Sequence, residues 1–285
     1  MKKSVYEMVT QRIIEQLNKG VIPWHKPWFN VLEGAYNIVS KKPYSLLNQL
    51  LLSKEGAYMT FKQAQELGGK IKKGTKSEFV VFWKLQEVEE TTETGETVKR
   101  TIPLLRYYNV FHISQVEGVK PLETIKAETI SDMTIFEDAE QIKEDYKARE
   151  DIEIIETNSN KAFYSPTKDY IQVPSKAQYK DITEFYSTLY HELVHSTGHK
   201  NRLDRFENNS NIAAFGSADY SKEELIAELG SATLLNILGI ENTSSFNNSV
   251  AYIQGWLNKL QNDNKFIVSA ASKAEKAVKY ILNEQ

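Results

Sequence analysis

The sequence has no cysteine among its 285 residues. Disulfide scaffolds, thiolate metal sites and cysteine nucleophiles are therefore excluded together, and any chemistry must come from His, carboxylates, Ser/Thr, Tyr or Lys. Long apolar runs are missing as well. None approaches the ~18 uninterrupted residues that would span a bilayer, so no membrane partner is expected. The opening MKKSVYEMVTQRIIEQL lacks an apolar stretch, because Glu7, Gln11, Arg12 and Glu15 break it up, and it makes a poor secretion signal. Internal repeats and low-complexity tracts are lacking too. What is present is 41% hydrophobic and 26% charged residues, enough apolar material for packed cores and too much for wholesale disorder. At ~100–200 residues per domain, the length fits one large domain or two ordinary ones. A cytoplasmic protein is expected.

The net charge of −3 hides a polarity along the chain. Residues 1–130 carry 19 Lys+Arg against 14 Asp+Glu, whereas residues 131–285 carry 16 against 24. Such an asymmetry points the first half toward a polyanion; simple drift in composition is the plain alternative.

Val5, Met8, Val9, Ile13, Ile14 and Leu17 recur near 3.6-residue spacing, so residues 4–18 read as a helix, stopped by Gly20 and Pro23. After the segment IPWHKPWF come an apolar helix near Tyr44–Ser53 and a short one over Thr60–Leu67. The basic loop KIKKGTK follows. Glu78–Val88 reads as a strand, TTETGE as a turn, and Thr97–Ser114 as one or two return strands. Residues 116–130 contain Gly118 and Pro121, lack periodicity and mark a linker. Beyond it the spacing predicts an acidic helix over Phe136–Lys147 and short strands at Ile152–Glu156 and Tyr170–Val173. Helices are predicted over Ile182–Ser196, Lys222–Leu238, Val250–Gln261 and Ser269–Leu282. Strands in the first half, and helices over a small sheet in the second, give an α+β protein of two domains. Their expected bounds are 1–118 and 133–285, with a linker over 119–132.

Three of the five histidines fall within nine residues, in Tyr190-His191-Glu192-Leu193-Val194-His195-Ser196-Thr197-Gly198-His199. The core of this run is H-E-x-x-H. Imidazoles at i and i+4 lie one turn apart on one helix face, so His191 and His195 can reach a single metal ion. Ile182, Phe185, Tyr186, Leu189 and Leu193 form an apolar stripe. At about 100° per residue the two imidazoles point roughly opposite that stripe, with Glu192 on the flank beside them. Histidines satisfied by hydrogen bonds or solvent are the plainer alternative. Zinc is the natural ion, since without cysteine a catalytic-type site needs two His and a carboxylate and leaves one position for water; another divalent metal would also suit. Such an ion acidifies a water and polarises a carbonyl, while Glu192 would take the proton and pass it to the leaving amine. That chemistry is peptide hydrolysis, whereas phosphoryl transfer favours carboxylate-rich magnesium sites.

The third ligand must come from elsewhere. A histidine six residues beyond the second would make a metzincin, but that position is Asn201. His199 lies closer, past an expected helix stop at Gly198, and suits a substrate-side or supporting role better than ligation. The better candidate lies in Ser221-Lys222-Glu223-Glu224-Leu225-Ile226-Ala227-Glu228-Leu229. Glu224 and Glu228 share a helix face with the small residues Ala227 and Ser231, which would allow close helix approach. In a gluzincin arrangement Glu224 is the metal ligand and Glu228, one turn later, orients an imidazole. Ser221-x-x-Glu224 is also a capping box, in which Glu224 would only satisfy backbone donors.

These residues resemble the ArdC-type antirestriction family of conjugative plasmids and related mobile elements, over nearly the whole chain. In the first half the resemblance rests on Tyr58-Met59-Thr60-Phe61-Lys62-Gln63-Ala64-Gln65-x-Leu67-Gly68-Gly69, Lys73-Gly74-x-Lys76, Phe82-Trp83 and Arg106-Tyr107-Tyr108-x-Val110-Phe111. In the second it rests on Tyr164-x-Pro166-x-x-Asp169-x-Ile171-x-x-Pro174, on HELVHSTGH continuing to Arg202-Leu203-Asp204-Arg205, and on Glu223-Glu224-Leu225-x-Ala227-Glu228-Leu229. Trp256-Leu257 and Ala270-Ala271-Ser272-Lys273-Ala274 also match. The resemblance implies an N-terminal domain that binds single-stranded DNA, a C-terminal zincin-like metallopeptidase domain, and protection of incoming DNA from host restriction. The alternative is a zinc-dependent protease that cleaves a specific host or regulatory protein and uses the N-terminal domain for DNA targeting. Whether proteolysis occurs stays open, as does a protein substrate or restriction enzyme as a further partner.

The residue chemistry fits DNA binding independently. Single-strand binding needs cations along the phosphates and aromatic faces on which bases stack. The basic loop supplies Lys70, Lys72, Lys73 and Lys76. Trp24, His25, Trp28, Phe82, Trp83, Tyr107 and Tyr108 are candidate platforms, with Trp83, Tyr107 and Tyr108 favoured, although period-2 alternation will bury about half of the strand aromatics.

Overall fold

A computed structural model of the chain describes residues 3–25, 34–91, 97–120, 132–206, 218–240 and 250–284. Most of the expected linker, Trp28 and the tip of the TTETGE turn lie outside the described residues. The first half opens with α1 (Val5–Leu17), followed by β1 (Ala35–Asn37), α2 (Leu46–Leu51), β2 (Gly56–Met59) and α3 (Phe61–Glu66). Then come β3 (Lys70–Ile71), β4 (Glu78–Thr91), β5 (Thr97–His112) and β6 (Val116–Glu117). Helix α1 begins where its sequence says it should. The Ser4 hydroxyl accepts from the Glu7 N–H at 3.2 Å and the Glu7 carboxylate accepts from the Ser4 N–H at 2.7 Å, a reciprocal cap of two otherwise unpaired donors.

Strands β1, β2, β5 and β4 form one sheet in that order. Its backbone is the antiparallel β4–β5 ribbon, in register from Glu78 opposite Val110 to Thr91 opposite Thr97. The return segment is thus one long strand. Strands β3 and β6 pair as a separate two-stranded piece that carries the start of the basic loop.

The second half comprises α4 (Asp132–Glu150), β7 (Glu153–Thr157), β8 (Phe163–Ser165), β9 (Tyr170–Pro174), α5 (Ile182–Ser196), α6 (Ala218–Ile237), α7 (Val250–Asn262) and α8 (Phe266–Ile281). The sheet order is β7-β9-β8, with β9 parallel to β7 and antiparallel to β8. Mixed helices and strands in two domains make this an α+β fold.

The two domains share a core. Val9, Ile13 and Leu17 of α1 and Leu46, Leu47 and Leu50 of α2 belong to the same apolar cluster as Leu189 of α5, Leu229 of α6, Trp256 of α7 and Ile267 of α8. Trp24 is fully buried and meets Trp256 edge-on at 6.3 Å, so it is a core residue and not a platform for bases. Each such side chain contributes roughly 1.5–3 kcal/mol when taken out of water.

Two glycines set the geometry of the second domain. A Cβ at Gly230 would lie 2.7 Å from a Val194 methyl, so glycine lets α6 cross α5 closely, and Ser231 secures the crossing by donating to the Ser187 carbonyl at 2.9 Å. A Cβ at Gly198 would strike the Phe206 ring at 2.4 Å, which is how the chain folds back directly after α5. The close crossing changes one expectation. Helix α5 is covered on both sides near its C-terminal end, with Tyr190, Glu192, Leu193, Val194 and His195 all buried, so the side opposite the apolar stripe is a helix–helix seam that stays partly open at His191.

Candidate metal centre

Helix α5 spans Ile182–Ser196, and its 3.6-residue repeat carries His191 and His195 to the side facing α6. Because α6 starts at Ala218, Ser221 lies inside the helix and is not its N-cap. Glu224, one turn further, turns toward the two rings. His191 Nε2 lies 3.0 Å from His195 Nε2; the Glu224 carboxylate oxygens are 3.6 Å from His191 Nε2 and 3.4 Å from His195 Nε2. Donors held about 2.0–2.2 Å from a tetrahedral ion are spaced about 3.3–3.5 Å apart. The observed triangle therefore fits a divalent metal of ordinary size. Among the described residues these three form the only such cluster. Side-chain exposures of 22% for His191 and 26% for Glu224 leave the triangle open on one side, while His195, at 4%, forms its floor.

Behind the floor lies a carboxylate that spacing alone did not single out. His195 Nδ1 is 3.4 Å from Glu223 Oε1, and Glu223 in turn accepts from Arg205 Nη2 at 2.6 Å and Nε at 3.2 Å. Arg205 also donates to the Thr197 hydroxyl at 2.6 Å and the Val194 carbonyl at 2.8 Å. This buried chain sets Nδ1 of His195 against a carboxylate and turns Nε2 toward His191 and Glu224. Burial would raise Glu223, but His195 and Arg205 outweigh it and hold the carboxyl below its usual range. Glu228, expected in the orienting role, lies close enough to help hold His191 up; for His195 the orienting residue is Glu223. Glu223→Gln is expected to lower metal affinity about 10–100-fold, the usual cost of losing such a partner, as isothermal titration would show.

Burial works against charge on His195, yet its bonds to Glu223 and Glu224 push it up to about 10. Burial opposes charge on His191 as well, and Glu224 raises it. At 3.0 Å one ring offers its lone pair to the N–H of the other. Burial of Glu224 is likewise outweighed by the two imidazoles, which hold its carboxyl far below the ordinary range. Glu192 is 7% exposed and near enough to raise both histidines.

His199 stands apart from this cluster. Helix α5 ends at Ser196, and His199 Nδ1 lies 3.8 Å from an Asp169 oxygen. Asp169 is gripped by both terminal nitrogens of Arg202 at 2.8 and 3.0 Å and accepts from the Tyr164 hydroxyl at 2.8 Å. Arg202 donates further to Glu150 at 3.1 Å. This network ties the segment after α5 to α4 and to the β8–β9 turn.

In the first domain Lys70, Lys72, Lys73 and Lys76 are all exposed. None forms an ion pair with a described residue, although the Lys72 ammonium donates to the Ser114 carbonyl at 2.9 Å. The favoured aromatics divide between the two faces of the β4–β5 ribbon. Trp83 meets Tyr6 edge-on at 6.4 Å and Tyr107 meets Phe79 at 6.2 Å, on one face; Tyr108 stacks on Phe82 on the other.

An HExxH helix, a carboxylate from the next helix and a small mixed sheet define a zincin-like domain joined to a strand-rich N-terminal domain. Comparison with known proteins agrees: residues 138–273 match the zincin-like metallopeptidase family and residues 3–111 match the N-terminal domain of anti-restriction factor ArdC. The crystal structure of the antirestriction ArdC protein from plasmid R388, metal-free, superposes with a TM-score of 0.73 at 33% identity, covering 99% of this chain and 100% of that one. Its Mn(II)-bound form gives 0.73 at 32%, covering 99% and 98%. The uncharacterized protein y4eC of Sinorhizobium fredii is 30% identical over 99% of this chain and 92% of its own length. The chain belongs to the ArdC family of antirestriction proteins. It is also 35% identical to a DNA primase TraC of Escherichia coli over 99% of this chain, but spans only 27% of that protein.

Proposed function

We propose that the protein protects incoming transferred DNA from host restriction by binding it as a single strand, and that its C-terminal domain is a one-metal hydrolytic centre. The observation that carries the reading is the end-to-end likeness to the R388 ArdC protein, together with a metal-sized triangle of donors. The likeness to part of a DNA primase supports a role on nucleic acid. His191, His195 and Glu224 would hold the ion. Two imidazoles and one carboxylate are a zinc donor set; R388 ArdC binds Mn(II), and nitrogen-rich sites bind zinc more tightly than manganese. When bound, the ion supplies Lewis acidity toward a carbonyl and lowers the pKa of a water. Glu192, on the same helix turn, would take up the proton of that water and deliver it to the leaving amine. Glu223 and Arg205 hold the His195 ring in place.

The basic loop would track the phosphates. Replacing Lys70, Lys72, Lys73 and Lys76 by alanine is expected to weaken binding of a labelled oligonucleotide and to reduce the slope of log affinity against log salt by about 3, at ~0.7 per phosphate. Plasmid transfer into a restricting recipient should lose protection in step. Tight binding with an unchanged slope, or protection that survives, would remove the loop from the reading. The buried Glu192 favours a second, compatible reading, in which the protein also cleaves a host or regulatory protein at the DNA.

A further inference from the structure

Side chains alternate along a strand, so the β4–β5 register places Val80, Phe82 and Lys84 on one face with Arg106, Tyr108 and Val110. Phe82 and Tyr108 stack with centroids 4.6 Å apart and planes within 5°. They form one wall of a cavity of about 580 Å³ whose floor is the buried pair Val80 and Val110, a size within the ~300–1,000 Å³ of ligand pockets. Asn37, Tyr44 and Gln63 form a polar wall of the same cavity.

The polar groups of that wall are only partly spent. Gln63 Oε1 accepts from the Thr60 N–H at 2.9 Å and from Asn37 Nδ2 at 3.2 Å. Gln63 Nε2 makes one long contact to Asn37 Oδ1, at 3.5 Å, which leaves its second N–H for a ligand. The Tyr44 oxygen accepts from Asn37 Nδ2 at 3.5 Å, which leaves its own O–H to donate. Asn48, by contrast, spends its amide on both backbone groups of Val81, at 2.8 and 2.7 Å. Beside the cavity Lys84 and Arg106 are exposed on the same sheet face and form no ion pair with a described residue.

An aromatic wall, an apolar floor, two donors awaiting acceptors and nearby cations are what an unstacked nucleobase and its phosphates need. An apolar peptide side chain would leave the donors buried and unmatched. We propose that this cavity is a base pocket that takes one nucleobase of the bound DNA single strand against the Phe82–Tyr108 wall, with its acceptor-bearing edge toward Gln63 and Tyr44. The proposal rests on the single-strand reading above. It also separates the aromatics: Tyr108 stacks on a base, while Trp83 and Tyr107 lie on the other face.

The test compares the full-length protein with its Tyr108→Ala and Gln63→Glu variants on short oligothymidine strands, intact or with abasic sites. Tyr108 is 56% exposed, and Glu at 63 keeps the acceptor that caps α3, so both variants should fold. Wild-type protein is expected to bind the intact strand about tenfold more tightly than the abasic one, the scale of one base–aromatic stack. Both variants should lose that preference while keeping the salt slope, because phosphate contacts are untouched. Variants that discriminate as well as wild type would overturn the pocket. Competition by thymidine monophosphate as effective as by the strand would overturn the strand assignment in favour of a free nucleotide. Absence of binding to any strand at low salt would instead overturn the single-strand reading, and the pocket with it.

Discussion

Glu192→Gln is expected to abolish peptide hydrolysis while leaving metal content unchanged. Glutamine keeps the shape and burial of the side chain but cannot accept a proton. General-base catalysis of this kind contributes about 10²–10⁴-fold, so cleavage of an unstructured test protein should fall by that factor. The ligand triangle does not include Glu192, so the variant should bind the same ion with little change in affinity. Its effect on DNA protection separates the two functional readings. If the variant protects as well as wild type, hydrolysis is dispensable and protection belongs to the N-terminal domain. If protection disappears with cleavage, the protease reading is the stronger one.

The second large effect is on pH. Carboxylates on both sides push the His195 pKa up to about 10, so metal entry is expected to displace a proton there. Affinity should therefore climb about tenfold per pH unit through the neutral range and level off near pH 10. The sign for the metal-free fold is opposite. A histidine whose pKa is raised on folding contributes stability that is complete below its ordinary value of 6.5 and is lost as pH rises through about 10. The melting temperature of chelator-treated protein should fall over that interval while the metal-loaded form gains. A flat affinity profile between pH 6 and 9 would show that His195 is neutral before the ion arrives.

How much of this was legible in the sequence depends on the range over which each feature is determined. The period of 3.6 gave α5 its ends at Ile182 and Ser196 and put His191 and His195 on one face, because both facts are local. The long β4–β5 ribbon was legible for the same reason. Strands of two or three residues such as β3, β6 and β8 carry no readable alternation and exist only through their partners. Glu224 was reachable from its face on α6, but its neighbour Glu223 was not. Which of the three carboxylates at 223, 224 and 228 meets which imidazole depends on how α6 crosses α5, and Gly230 against Val194 sets that crossing. The same holds for the aromatics of the ribbon. Alternation assigns Trp83 and Tyr108 to opposite faces, yet only the packing of α1, α2 and α3 against the ribbon decides what each face does.

Metal stoichiometry in the Glu224→Ala variant decides whether the three donors form one site, because that residue is the only one in the triangle that comes from a second helix. Purified protein is loaded with Zn²⁺ or Mn²⁺, dialysed and assayed by mass spectrometry for ions per chain, with circular dichroism to confirm folding. Wild-type protein is expected to hold one ion per chain, and the folded variant to lose more than the ~10–100-fold in affinity that a supporting residue would cost. A folded Glu224→Ala protein that retains a full equivalent of metal at wild-type affinity would contradict this.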